Sequence, residues 1–524
     1  MAAIGKKNIY DFLVIGSGPS GVAAARVLLE RGFVGKILDS GDLVPSSTAE
    51  KISQLSRIPF EQWTENERNI RANLSELGKN LKRHRGSKSV FGSNFVYTDT
   101  SDARLANQNI QNLTEIPISL AMGGFSNVWG ATFFPLTNQE LEDSLIKQEH
   151  YDYVSEFVPI LGNKDDLSEF YALPKIYYPQ DFVSDFALKI KQHALNQRDK
   201  LAENRVIFGL PRLALRTKTN RNDLGCQHCG LCASGCVYGS IWNSSHELTG
   251  LKKSHEDIYK SKFIASKIIE HENIAEVQST NGEIFFAKKI LVACGALSST
   301  ILLQNSDLIN NAVVLMDTQV TLVPFFTFQR QKQKKLGFVL SQAFLSVTSE
   351  FDREIQLSVQ LIGYNPDFTS RLRESYPIMK LAPEFLIREF SKYLGVALVY
   401  QRSEESGQIV IQKEKTQITI EQVTTNRKSL FLSEKWKPLA YSLKKLRLFP
   451  IPFFAQILDV GLSFHLGSLR KMDGTNAYDN LGVSDRAKNV HVVDGSALPD
   501  VFPGSITNTI MANAVRIATE IKIE

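Results

Sequence analysis

The sequence predicts an α/β protein. Its mostly parallel sheet is assembled from segments scattered along the chain, and an antiparallel-sheet (α+β) substrate domain is inserted between them. Three observations predict this. A strand–glycine turn–helix–strand unit opens the chain at residues 10–39. Strands of the same buried type recur far downstream, at Lys289–Ala293 and Val490–Val493. Between them, Gln408–Gln412 and Gln417–Ile420 alternate with the period of half-buried antiparallel strands.

The opening unit is the most explicit. Tyr10-Asp11-Phe12-Leu13-Val14-Ile15 is a short apolar run suited to a strand covered on both faces. It leads into Gly16-Ser17-Gly18-Pro19-Ser20-Gly21, a G-x-G-x-x-G turn. A helical stretch from Val22 to Arg31 follows, then a second strand, Lys36-Ile37-Leu38, ending on Asp39. In such a turn Gly16 permits the tight bend, Gly18 lets backbone amides approach a pyrophosphate, and Gly21 allows close helix–strand packing. Ser17 and Ser20 fill the turn and join the predicted binding set. The helix N-terminus stabilises phosphate charge. Asp39, eighteen residues after Gly21, is placed to accept from ribose hydroxyls and would repel a 2′-phosphate. The acid favours FAD or NAD over NADP, and the motif does not separate those two.

The later pieces are shorter. Ser53 to Leu81 reads as polar and helical. Met122-Gly123-Gly124-Phe125-Ser126-Asn127-Val128-Trp129-Gly130-Ala131 suits a backbone lying against a flat ring or phosphate, although an ordinary glycine turn reads the same way. Strands between 264 and 287 are joined by a hairpin at Asn281-Gly282. The strand ending at Ala293 turns at Gly295 into a helix, Ala296–Gln304. The chain closes with strand Val490–Val493, the turn Asp494-Gly495-Ser496 and a helix from Thr507 to Ile523.

Four of the five cysteines fall within eleven residues, as Cys226, Cys229, Cys232 and Cys236. The C-x2-C-x2-C-x3-C spacing suits four thiolates round an iron–sulfur cluster, 4Fe–4S or 3Fe–4S, with Gly225, Gly230 and Gly235 letting the backbone wrap. Val237 stands where the ferredoxin run has proline. Zinc is the competing ligand, though its ribbons use two separated knuckles. Disulfides in loops this short would be strained. A structural loop is the remaining reading.

At 524 residues the chain exceeds one core, so two or more packed units are expected. Hydrophobic content of 43% and charged content of 22% describe an ordinary globular protein. Sixty basic against 55 acidic residues give a net +5, too small to argue for nucleic acid. Residues 1–9 include Lys6 and Lys7 but no long apolar region, so no secretory signal is expected. No run approaches the ~18 apolar residues of a spanning helix. A cytoplasmic, reducing location is therefore expected. Two basic amphipathic stretches, Leu381–Leu394 and Lys435–Ile457, suit either a core-facing helix with a solvated edge or peripheral membrane contact.

The order of GSGPSG with Asp39, MGGFSNVWGA, ILVACGALSS, SFHLGSLRKM and VHVVDGSALPD…TIMANA resembles the glucose–methanol–choline (GMC) family of FAD-dependent oxidoreductases. The resemblance implies FAD on a Rossmann-type domain, with Gly16, Gly18, Gly21 and Asp39 on the ADP half. It places the Gly123-Gly124…Asn127 loop, with Ala293 and Gly295, against the flavin, and Asp494-Gly495 by the pyrophosphate or ribitol. It implies domains of 1–45, 110–135, 260–310 and 485–524 for FAD, 205–250 for the cysteine-rich insertion, and 311–484 for the cap. The cysteine run is similar to that of the dehydrogenase branch, which passes electrons onward to an acceptor, here an electron-acceptor protein.

His465 matches the family's active-site histidine, a base whose pKa lies near working pH. The partner position is Ser505 on ungapped alignment, or Asn508 after a small shift, since the family's Asn-Pro pair is absent. Asn508 could equally be a helix N-cap or first-turn residue. The expected reaction is oxidation of an alcohol or sugar, free or lipid-linked, with electrons leaving through the cluster. The alternatives are an oxidase using oxygen and a flavin-binding electron carrier without alcohol chemistry of its own.

Overall fold

A computed structural model describes residues 9–59, 62–68, 70, 96, 98, 110–111, 116–180, 183–217, 225–232, 236–331, 339–350, 354–364, 369, 372–373, 377–424 and 430–524. The opening unit forms as its sequence dictates: β1 (Ile9–Ile15), α1 (Pro19–Glu30) and β2 (Gly35–Leu38). β1 lies between β2 and β3 (Ile284–Val292), parallel to both. β3 leads into α2 (Ala296–Asn305). The first residues of β3 pair antiparallel with Ala275–Ser279, across the predicted hairpin, and its last three pair in parallel with β4 (Val490–Val492). The final helix is α3 (Thr507–Glu520).

β1 is apolar throughout because both faces are covered. Phe12 and Val14 enter a cluster with Val22 and Leu28 of α1 and Met511 and Ala514 of α3. Leu13 and Ile15 face Leu297 and Ile301 of α2 and the next sheet.

The inserted region forms two sheets where one cap was predicted. The first runs Gly467–Lys471, Ala312–Met316, Gln408–Glu414, Gln417–Val423, Ile110–Gln111. Ile110–Gln111, assigned above to the nucleotide domain, pairs instead with Gln417–Val423. The second sheet runs Phe449–Pro450, Val320–Phe326, Leu394–Gln401, Ile355–Ile362, Ala343–Thr348, Val206–Gly209. Its last strand comes from the segment predicted as a separate cysteine-rich insertion.

That second sheet positions the site through its two-residue period. Val323, Phe325, Val359, Leu361, Ala397 and Val399 pack against helices Asp185–Asn196 and Trp436–Lys445. The alternate residues, Leu322, Gln360, Ile362, Leu398 and Tyr400, line a cavity against the nucleotide sheet.

Of the two basic amphipathic stretches, Trp436–Lys445 is core-facing, burying Trp436, Leu439 and Leu443. Helix Glu384–Ser391 buries only Ile387 and Ser391 and leaves Phe385, Leu386 and Phe390 exposed. The helix predicted from Ser53 is Ser46–Ser56, and residues 71–81 lie outside the described residues. No described helix is long and apolar enough to cross a membrane.

Candidate active site

The cavity measures about 380 Å³ and reaches from the glycine turn to the loop carrying His465. At its nucleotide end Gly16 has φ +103°, and a Cβ there would lie 2.4 Å from the Ala293 carbonyl oxygen. Gly18 is different: the nearest atom to a Cβ would be the same oxygen at 3.9 Å, so its bare backbone faces open space. Gly124 faces the same space from across the groove, 4.0 Å from the Gly18 Cα on the same measure. Gly295 and Ala293 line the wall between them.

Asp39 is buried at the end of β2. Its carboxylate accepts from the Ser17 hydroxyl at 2.6 Å and the Tyr259 hydroxyl at 3.0 Å. Burial outweighs these hydrogen bonds and pushes its pKa up to about 6. The Ser17 oxygen also accepts from the Gly123 amide at 2.9 Å, joining the first glycine turn to the second. Asp494 accepts from the Ser496 amide at 3.0 Å and from the Ser299 hydroxyl, and burial raises it too.

The far end carries His465, beside Phe464 at φ +60°. The His465 backbone amide donates to the Ser463 oxygen at 2.9 Å, and the Ser463 hydroxyl donates to Asp317. The Gly461 amide also donates to Asp317, at 2.8 Å. Asp317 is buried, which pushes it up to about 6, so one acid anchors the loop at two points. The His465 ring stacks on Tyr400 with centroids 5.2 Å apart and planes 24° from parallel. Behind the loop, Gly467 and Gly495 abut: a Cβ on Gly467 would stand 2.8 Å from the Gly495 carbonyl oxygen. This close backbone contact registers the histidine loop on the Asp494-Gly495 turn.

Several predicted site residues do other work. Gly21 packs α1 on the turn, its Cβ position 2.1 Å from the Gly16 carbonyl oxygen, and Gly123 abuts Asn243. Asn127 does not line the groove: its amide nitrogen donates to the carbonyls of Met122 at 3.0 Å and Gly124 at 2.7 Å, closing its own loop. Asn508 is buried in the first turn of α3 and is not among the residues that line the cavity. Ser505 does line the cavity, with its hydroxyl donating to the Thr132 carbonyl. Thr507 lines it too, as does Gln360, which accepts from the Thr132 hydroxyl at 3.3 Å. Neither Thr507 nor Gln360 was singled out in the sequence, because facing the cavity is a matter of helix and strand register.

The cysteine run gains no support as a metal site. Among the described residues, no group of three or more His, Cys, Asp or Glu side chains is placed to hold a metal ion. Cys226, Cys229 and Cys236 all lie near enough to Cys232 to act on it, and apolar side chains pack around the run. Cys226, Cys232 and Cys236 pack with Leu213, Leu215 and Ile241, while Cys229 packs with Leu55, Trp63 and Leu231. Burial, and after it the neighbouring thiols, raises the Cys229 and Cys232 thiols.

No protein-family profile and no curated protein sequence matches the chain. Solved structures do. Pyridoxine 4-oxidase from Mesorbium loti matches with TM-score 0.57 at 12% identity, covering 98% of both chains. A variant of the formate oxidase of Aspergillus oryzae RIB40 matches with TM-score 0.56 at 11% identity, again over 98% of both chains. A further formate oxidase structure matches with TM-score 0.56 at 10% identity. The chain shares its mixed α/β fold with these solved structures over nearly its whole length.

Proposed function

We propose that the chain is an FAD-dependent oxidoreductase that oxidises a CH–OH group of a small molecule and uses oxygen as the final acceptor. One observation carries this reading: a single cavity joins the glycine turn and Asp39 to His465. The chain's residues fit FAD. Bare backbone at Gly18 and Gly124 leaves room for the pyrophosphate and ring, and α1 points its N-terminus into the groove. Asp39 is the acceptor for ribose hydroxyls, and Asp494-Gly495 lies on the path towards His465.

Bound there, FAD supplies the hydride acceptor and returns two electrons to oxygen as hydrogen peroxide. The chain supplies the rest. His465 accepts the hydroxyl proton as hydride leaves the same carbon, so the C–H and O–H bonds are exchanged for a carbonyl. Stacking on Tyr400 sets the plane of the imidazole, and Asp317 with Ser463 holds its backbone. Thr507, one residue before Asn508, lines the cavity and is the candidate partner for the substrate oxygen. The cap face is mainly apolar, with Leu322, Leu398, Leu458 and Leu462, and carries Gln360, Ser341 and the Tyr400 hydroxyl as polar groups. That lining favours an alcohol with an apolar body over an unmodified sugar.

Oxygen is favoured over a protein acceptor because the solved structures that this chain resembles are named as oxidases. The test has two parts. Heat-released nucleotide should be FAD by chromatography. A panel of alcohols and sugars should then bleach the flavin anaerobically, and air should restore it with stoichiometric peroxide. Recovering NAD, or no nucleotide after incubation with FAD, would overturn the reading. Restoration by artificial acceptors but not by air would return the dehydrogenase.

A further inference from the structure

The far end of the second sheet carries an apolar surface outside the cavity. Phe453 is 90% exposed, Leu381 85% and Phe328 75%. Phe385, Leu386 and Phe390 project from helix Glu384–Ser391 beside them. Ring contacts make the aromatic part continuous. Phe326 stands 5.1 Å from Phe328 and 6.1 Å from Tyr393, which follows the helix. Phe328 stands 5.2 Å from Phe449, and Phe453 lies four residues further along. Six large side chains at about 150–250 Å² per aromatic residue exceed what a monomer ordinarily leaves to water.

The charge around this surface is one-sided. Segments 184–197, 326–331, 381–393 and 441–455 carry eight Lys and Arg against three Asp and Glu. That excess equals the +5 of the whole chain, so the remainder is balanced. Two of the three acids are already engaged: Glu389 with Arg330 at 2.6 Å and Glu384 with Arg373 at 3.3 Å. Lys444 and Arg447 are exposed beside Phe449, and the Lys445 ammonium sits 5.1 Å from the Tyr441 ring centroid. Aromatic and aliphatic side chains rimmed by Lys and Arg match a membrane interface, where rings enter the headgroup region and cations meet anionic lipid.

We infer that this face docks the protein on an anionic lipid bilayer. A second copy of the chain is a poorer occupant, since a two-fold interface would set the basic rim against itself. The strand Val320–Phe326 links this surface to the catalytic end: Leu322 lines the cavity, and Phe326 lies at the surface end. Leu322 and Phe328 are thus separated by about 20 Å along an extended backbone. A peripheral seat here leaves the cavity intact, and the inference stands apart from the flavin reading.

Flotation of the full chain with vesicles tests it. The protein should float with phosphatidylcholine vesicles containing phosphatidylglycerol, and 1 M salt should weaken the binding. Phe328→Ser with Phe453→Ser should lower the partition coefficient about 30-fold or more, since each removes a large apolar side chain. Lys444→Glu with Arg447→Glu should weaken binding to anionic vesicles about 30-fold or more, at roughly a factor of five for each positive charge lost, while leaving binding to pure phosphatidylcholine unchanged. Unfolding temperature and bound nucleotide should match wild type in every variant, because these side chains are exposed. No flotation with anionic vesicles would overturn the inference. So would equal flotation with both lipids, or a concentration-dependent dimer that the Phe variants dissociate while flotation persists.

Discussion

His465 is the residue on which the proposed chemistry turns, and its removal should separate cofactor binding from turnover. Loss of a positioned acid–base group costs about 10²–10⁴ in rate. His465→Ala should slow anaerobic flavin reduction on that scale while FAD content stays normal. Reduction at the wild-type rate would move the role to Thr507 or another cavity residue. Asp317, which anchors the loop, predicts a pH effect. Burial raises it from 3.8 to about 6, so the folded state keeps this proton longer than the unfolded chain. Its contribution to stability is therefore fullest below pH 4 and is lost as pH rises through 6, by on the order of 2–3 kcal/mol. Asp317→Asn should remove that dependence, whatever constant offset the lost acceptor adds. The gap in unfolding temperature between variant and wild type should shift in the variant's favour between pH 4.5 and 7. A gap that stays constant over this range would show that Asp317 does not titrate there.

At the scale of the element, the glycine turn between β1 and α1 makes two opposite demands. Gly21 is needed by the fold, since a Cβ would lie 2.1 Å from the Gly16 carbonyl oxygen. Gly21→Ala should cost about 2 kcal/mol or more, seen as a lower unfolding temperature. Gly18 is needed by the ligand, since a Cβ there meets nothing closer than 3.9 Å. Gly18→Val should keep the fold, judged by circular dichroism, and lose FAD. If both variants behaved alike, the division of roles would be wrong. This unit was legible because its apolar run, glycines and acid are neighbours in the chain. Asn127 and Asn508 were not legible. A glycine–asparagine loop reads the same whether its amide meets a ligand or its own carbonyls. On a helix, each residue turns ~100° from the last, so Thr507 and Asn508 face different ways.

Across the whole molecule, the second inserted sheet closes the cavity opposite the nucleotide sheet and bears on what enters it, through Leu322, Gln360, Ile362, Leu398 and Tyr400. The cysteine run tests this, because it packs between elements and does not join the cavity. Cys229→Ala should leave anaerobic flavin reduction and reoxidation in air within about two-fold of wild type, and lower stability by about 1 kcal/mol. Normal reduction followed by stalled reoxidation would restore the electron relay. Iron and acid-labile sulfide in stoichiometric amounts would do the same.

By itself the sequence determined the nucleotide-binding unit, the return of its strands at residues 284–292 and 490–492, and the loop on which His465 sits. Each depends on neighbours in the chain: a strand period, a glycine where backbone must bend, an acid at a strand end. Only the tertiary structure decided that Val206–Gly209 and Ile110–Gln111 join the inserted sheets, and that Thr507 rather than Asn508 lines the cavity. These outcomes depend on which surfaces meet across hundreds of residues. Spacing along the chain does not encode that meeting, because packing, not proximity in sequence, sets the direction in which a side chain points.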